Sequence, residues 1–543
     1  MTASSATPVL TIAERLAEFT ATQDGAAIPA PVRERARYLI LDAVGIAYAS
    51  THYEFAQRAL SAVRDFSAGL GQVAVIGLPA RLQLRDAMLM NGILIHGLDY
   101  DDTHSAGVIH ATSACLPAAL GAAAQGGRSG ADLLTAYIIG MEAGTRLGAV
   151  AKGGFHQVGF HPTGLIGAFA TTLVCGRLYD LSAPQLAMAQ GITLSTASGS
   201  MEFLNDGAWT KRMHPGWAAA AGLTSVTLAR HGFVGPRATY EGRFGLFQSH
   251  LGRYADGMDL SLATAGLGTQ WELMNVAVKP IPACHFTHAC ADAAAHLRAQ
   301  YGLTAQQIRS VRALVPQEVV KTVCEPVATK KRPQNSYDAQ FSIPYIVATA
   351  LLRGSFGLEH LEDAALADPE VLELAQRVEY EVDPNSPFPK YYSGEVIVTT
   401  TSQASMQLTT DEACSIWSAC CKARAASTCP LRLPLVTSGC GLKTMKPSGN
   451  ASRAALIKPR LVHTPPESQP KRMEASSSTW PGTSTTWRPF AGQSTGPWGS
   501  RLYLVTPCRT MKARTFRARS RSCAVNAWLL SRSSSSDGWP GSK

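Results

Sequence analysis

The chain has 543 residues, 46% of them hydrophobic, with a formal net charge of +10. That length supports two or more domains around a sizeable core, without disulfide or metal staples. No apolar run approaches the roughly eighteen residues of a membrane helix. The opening "MTASSATPVLTIAERLAEF" lacks a basic region followed by an apolar core, so an unsecreted, cytoplasmic protein with no membrane partner is expected.

The positive charge sits at one end. Residues 413–543 carry 20 Lys and Arg against 3 Asp and Glu, a balance of +17, which leaves residues 1–412 at −7. A basic chain often binds nucleic acid. Here the main body is mildly acidic, and no nucleic-acid partner is expected.

In chain order, "PVRERARYLILDAVGIAYAS" places Val32, Ala36, Leu39 and Ala43 at helical spacing behind Pro31, which suits a first turn. "ADLLTAYIIGMEAGTRLGAVA", "TGLIGAFATTLVCGRL", "APQLAMAQGITLSTASGS" and "GWAAAAGLTSVTLARHG" repeat the theme, each rich in Ala, Gly and Leu. Residues 1–271 therefore read as an all-α domain. Near Lys279 the texture changes: "IRSVRALVP", "VEYEVD" and "EVIVTTT" alternate apolar and polar residues in short β-branched runs, with helical patterns between them. The fold class expected is mostly α with a second, smaller α+β domain over 272–401.

Residues 402–543 read as a different kind of sequence. Past residue 412 stand 7 of the 12 cysteines and 6 of the 9 tryptophans, among Ser, Pro, Gly and Arg, with neither helical nor strand period. Disordered segments avoid Trp and Cys. The tail is read as the product of a shifted frame or a retained intron.

The chemistry concentrates in "HGLDYDDTH" (96–104), which holds three aspartates and two histidines in nine residues. On a helix, Asp99 and Thr103 would share a face four residues apart, with Asp102 near and His110 following where a helical run resumes. The plainer account of any one of these is capping, by Asp102 or Thr103. "GFHPTG" sets His161 before a Pro-started helix, "TKRMHPG" adds Lys211, Arg212 and His214, and "VKPIPACHFTHAC" adds Lys279. A metal reading draws on the first motif and on His285, His288 and Cys290, but neither spacing matches an established zinc or calcium pattern. Cys284, Cys290 and His288 are expected to be packing residues. No phosphate loop is present, and "GLGQVA" at 69–74 is too bare to argue for a dinucleotide.

"HGLDYDDTH", His110 before an Ala/Pro-rich helix, "GFHPTG", "TKRMHPGWAAAAG", "EGRFGLF", "KPIPACHFTHACADA" and "YYSGEVIVTTT" occur in an order that resembles the MmgE/PrpD family. That family includes 2-methylcitrate dehydratase, cis-aconitate decarboxylase and an iminodisuccinate epimerase. The resemblance spans about Ile12 to Thr401. It implies a helical domain with an α+β lid, a homodimer, a site between the two domains and no cofactor. The site residues it implies are Asp99, Thr103, His110, His161, Lys211, Lys279 and Tyr345, with Arg212 beside them for binding.

The chemistry implied is a lyase acting on a small di- or tricarboxylate. Lys211 and Lys279 would stabilise an enediolate. A base drawn from Asp99, His110 or His161 would move the proton next to a carboxylate. An epimerase of a related dicarboxylate, a metal-dependent hydrolase and an inactive truncated family member stand as alternatives.

Overall fold

The computed structural model describes residues 9–67, 71–402 and 405–410. Its helices follow the small-residue runs. A capping box between Thr11 and Glu14 opens Ile12–Thr22. Pro31 stands in the first turn of Ala30–Ser50, which buries Val32, Ala36, Leu39 and Ala43, the residues whose spacing predicts it. Glu54–Phe66, Leu84–His96, Ala111–Gly126, Gly130–Ala151, Pro162–Leu178, Ala183–Thr193 and Thr210–Arg230 complete the larger helices of this half.

Small residues let these helices touch through their backbones. A Cβ added at Gly92 would lie 2.4 Å from the Cα of Gly216, and one at Gly216 would lie 2.2 Å from the carbonyl oxygen of Leu89. Helices Leu84–His96 and Thr210–Arg230 therefore pack closer than any pair of larger residues would permit. That contact carries the loop after His96 and the start of the second helix, with Lys211, to the same place.

Two short antiparallel pairs lie in the helical half: β1 (Val73–Ala74) with β2 (Arg81–Leu82), and β3 (Thr103–His104) with β4 (Val276–Ala277). The α+β half holds β5 (Ile308–Val315), β6 (Val378–Val382), β7 (Gly394–Thr400) and β8 (Ser405–Thr410) in the order β6-β5-β7-β8. β5 and β6 are parallel and the other pairs antiparallel. Every second residue of β7 is buried, as one covered face requires. The helix His288–Tyr301 packs on β7 and β8, and Ile343–Arg353 packs on that helix. The architecture is mostly α with a smaller α+β region.

One hydrophobic core runs from Ile12 to Val276; a second runs from Ala283 to Val398 and recruits Val108, Met201 and Phe203 from the helical half. Residues 405–410, which fall in the tail as the sequence divides it, form β8 on the edge of the sheet, and Met406 packs against the second core. The rest of that tail, 411–543, lies outside the described residues. Among the described residues, no helix is long and apolar enough to cross a membrane.

Candidate active site

Helix Leu84–His96 stops at Gly97, and residues 97–110 run as turns and β3 rather than as the helix expected for Asp99 and Thr103. Asp99 has φ +48°, a left-handed conformation that Asp tolerates better than most residues. This turns its carboxylate inward. Oδ1 accepts hydrogen bonds from Lys211 Nζ at 3.0 Å and Lys279 Nζ at 2.7 Å, and Lys279 also donates to the Asp99 carbonyl oxygen at 2.8 Å. Burial alone would raise the Asp99 pKa, but the two ammoniums hold it well below the usual carboxylate range.

Lys279 arrives there because β4 pairs with β3, Ala277 opposite Thr103. Gln340 Nε2 donates to the carbonyls of both Leu98 and Pro282, and the Tyr100 hydroxyl donates to Pro280 O at 3.1 Å. These bonds tie the motif loop to the segment that carries Lys279.

Imidazoles line the same wall. His110 Nδ1 lies 2.7 Å from the Asp102 carbonyl oxygen and 3.1 Å from Thr103 Oγ1. A carbonyl only accepts, so this network assigns the proton to Nδ1 and leaves the Nε2 lone pair available as a base. His96 Nδ1 lies 2.8 Å from Asp101 Oδ2, and His161 Nδ1 lies 3.1 Å from His214 Nδ1. The His96 ring stands 5.3 Å from that of His110 and 5.4 Å from that of His161. Burial lowers the pKa of His96, His110 and His161, opposed at His96 by Asp101 and reinforced at His110 by Lys279 and at His161 by Lys211. Neutral bases thus sit beside fixed positive charge. Asp102 is the capping residue of the plainer account: its carboxylate accepts from Thr112 N and Oγ1 at the start of Ala111–Gly126, and burial raises it to about 7.

A cavity of about 20 Å³, room for roughly one water, is lined by Thr103, His110, His161 and Lys211 together with His156, His285 and Phe341. Asp99 and Lys279 are not among its walls; Asp99 is joined to the wall residue Lys211 by its hydrogen bond and to Lys279 by another. Two expected binding residues are elsewhere. Arg212, one position past Lys211 on the same helix, points to the other side, donates to the Gly97 carbonyl at 2.7 Å and lies over the Tyr337 and Phe55 rings at 3.9 and 4.4 Å. Tyr345 is buried in the second core, with its hydroxyl 2.9 Å from His360 O and 3.1 Å from Ala365 O. Tyr345 is thus committed away from the cavity, whereas Arg212, not one of its walls, keeps Nη1 buried and without a hydrogen-bond partner among the described residues.

His96, His156, His214 and His285 join the cluster. His96 and His214 stand in the motifs "HGLDYDDTH" and "TKRMHPG" and His285 in the metal reading, but none is among the expected site residues, and His156 carries no motif signal. His156 and His285 are pushed down to about 3, by burial and then by Lys211 and Lys279 respectively. Cys284 lines the cavity as well, yet burial raises its thiol to about 11, so it stays protonated. His288 Nε2 lies 3.2 Å from the Ala283 carbonyl oxygen, which suits the packing role expected of it.

His96, Asp99 and Asp101 bring one potential metal-ligand atom each within 4.8 Å of one another. Two ammoniums already hold the Asp99 carboxylate, which sets that trio against a divalent cation. A larger depression, about 970 Å³, lies away from this site, and Arg33 and Arg177 on its wall are spent on backbone carbonyls. It holds none of the residues expected for chemistry.

The chain matches the MmgE/PrpD N-terminal domain over residues 14–256 and the MmgE/PrpD C-terminal domain over residues 281–413. It belongs to the MmgE/PrpD family. Over 397 residues it is 29% identical to the cis-aconitate decarboxylase-like protein oryM of Aspergillus oryzae, covering 69% of this chain and 81% of that protein. It is 30% identical over 367 residues to the cis-aconitate decarboxylase of Aspergillus terreus, covering 65% and 74%. The Homo sapiens cis-aconitate decarboxylase is 29% identical over 371 residues, covering 65% and 73%. Family membership with these relatives supports a lyase at the level of the MmgE/PrpD family.

Proposed function

We propose that this protein is a cofactor-independent lyase acting on a small di- or tricarboxylate, of the 2-methylcitrate dehydratase or cis-aconitate decarboxylase kind. The observation that carries the reading is a neutral His110, its Nε2 presented as a base, beside an Asp99 carboxylate clamped by two ammoniums. Dehydration, decarboxylation and epimerisation share a carbanion next to a carboxylate. Lys211, at the cavity wall, supplies positive charge where the enediolate develops. In dehydration or epimerisation His110 Nε2 takes the proton from the carbon, and His161, once protonated by relay from it, delivers a proton to the leaving hydroxyl or back to the carbon. In decarboxylation the departure of carbon dioxide itself leaves the carbanion, and the site only supplies the proton that quenches it. Thr103 and the Asp102 carbonyl hold the His110 ring in register.

The cavity is far smaller than the several hundred Å³ usual for a ligand pocket, so substrate entry requires its walls to part. The homodimer implied by the resemblance and the cytoplasmic setting expected from the sequence belong to the same proposal, and light scattering of the purified chain tests the first. Activity itself is tested by proton NMR on a panel of polycarboxylates in deuterated buffer after exhaustive chelation, with cis-aconitate and 2-methylcitrate first. Loss of carboxylate or water is the expected result. Proton exchange without loss identifies an epimerase. Turnover that needs a stoichiometric metal replaces the proposal with the hydrolase reading, and complete inertness with the inactive-member reading.

A further inference from the structure

Lys330 lies in the last turn of the short helix Val327–Lys331 and is 2% exposed. Among the described residues its Nζ makes no hydrogen bond and no ion pair. Asp338, the one carboxylate that acts on it, accepts instead from Gln334 N at 3.1 Å and Asn335 Nδ2 at 3.4 Å. A lysine this buried with no carboxylate in salt-bridge range is costly and is seldom kept for stability alone. Burial pushes this amine down to about 8, a cost that an incoming anion would relieve.

Its neighbours are walls of the cavity. Nζ lies 6.0 Å from the centroid of the Phe341 ring, and Lys211 Nζ lies 4.8 Å from the same centroid. Cys284, the other shared neighbour, acts electrostatically on Lys330 and feels Asp99, Lys211 and Lys279 in turn. Phe341 and Cys284 both line the cavity. Asp99 shares one oxygen between Lys211 and Lys279, so the cluster has charge for one carboxylate at the Lys211 end, and a second carboxylate needs a cation elsewhere. Lys330 and Arg212 are buried cations without a salt bridge among the described residues, and of the two Lys330 is the one that shares Phe341 and Cys284 with the cavity.

We propose that Lys330 is a specificity-determining cation, receiving a carboxylate remote from the reacting carbon once the walls at Phe341 and Cys284 part. This rests on the polycarboxylate reading above and deepens it. The substrate class it selects has at least two carboxylates, one at the Lys211 end and one beyond Phe341.

Calorimetric titration of the full chain with propane-1,2,3-tricarboxylate, an unreactive probe, and with butanoate tests it. The unaltered protein is expected to prefer the tricarboxylate, and K330M to bind it about ten- to a hundredfold more weakly, the range for one charge-assisted contact. K330M is also expected to melt at a higher temperature, because an apolar side chain of similar length replaces an unpaired charge. Unchanged affinity in K330M overturns the inference, as does a lowered melting temperature with affinity intact, which marks a structural lysine. If K330M does not fold, the same titration of K330Q decides. Failure of the unaltered protein to bind the tricarboxylate overturns the polycarboxylate reading and this inference with it.

Discussion

Lys211 and Lys279 donate to the same oxygen of Asp99, at 3.0 and 2.7 Å, although they lie 112 and 180 residues away in sequence. The sharing separates catalysis from folding. In Lys211→Ala, Asp99 keeps Lys279, so the fold should be little changed while turnover falls by about two to four orders of magnitude. In Asp99→Asn, two buried ammoniums lose their common counter-charge, and urea unfolding should report a loss of about 3–5 kcal/mol. Equal urea midpoints for Asp99→Asn and the unaltered protein would show that the clamp contributes nothing to stability.

His110 and His161 are assigned to proton transfer, so His110→Gln and His161→Ala should each lower kcat by about two to four orders of magnitude. Thr103→Val removes one of two contacts to His110 Nδ1 and should cost about tenfold or less. Steady-state kinetics on the true substrate decide each case, and near-normal turnover in either histidine variant removes that residue from the mechanism.

Tyr345→Phe should leave turnover close to normal and cost about 0.5–1.5 kcal/mol in stability, because its hydroxyl bonds backbone carbonyls in the second core. A hundredfold fall in kcat with unchanged stability would restore it to the site.

Acid should unfold this protein early. Burial depresses the folded-state pKa of His96, His110, His156, His161, His214, His285 and His288 below the ordinary value of 6.5. Above pH 6.5 both states are neutral at these rings. Below it, the unfolded chain takes up protons that the folded chain refuses, and stability falls by up to ~1.4 kcal/mol per pH unit for each group. Asp102 works the other way: raised from 3.8 to about 7, it stays protonated when folded, so its contribution grows as pH falls through that window. Asp42, likewise raised to about 7, adds to Asp102, but two such carboxyls do not offset seven imidazoles. Urea midpoints at pH 7.5, 6 and 5 should drop steadily, and a flat series would contradict the buried neutral cluster.

The small-residue helices, the alternating strands and the motif residues Asp99, His110, His161, Lys211 and Lys279 are legible in the sequence because each rests on local pattern or on a short motif. Helical period puts Asp99 on a helix, since period alone does not reveal a left-handed turn after Gly97. Arg212 and Tyr345 are misplaced for want of phase. Adjacent residues on a helix point about 100° apart, so Lys211 reaches the cavity while Arg212 reaches Tyr337. His96 and His214 stand in the same motifs as Asp99 and Lys211, whereas His156 and His285 are brought in by packing between distant segments, which no spacing encodes. "ACHFTHAC" does flag His285, but as a metal-like residue.

The tie between Asp99 and Lys279 has a consequence for inheritance. The two side chains come from segments that match the two separate domains of the family or the link between them, yet one oxygen atom answers to both ammoniums. A substitution in either segment changes what the other must supply. The two halves therefore cannot diverge at independent rates, and a recombinant that joins halves from distant relatives should work only when this clamp and the Gln340 bonds travel together.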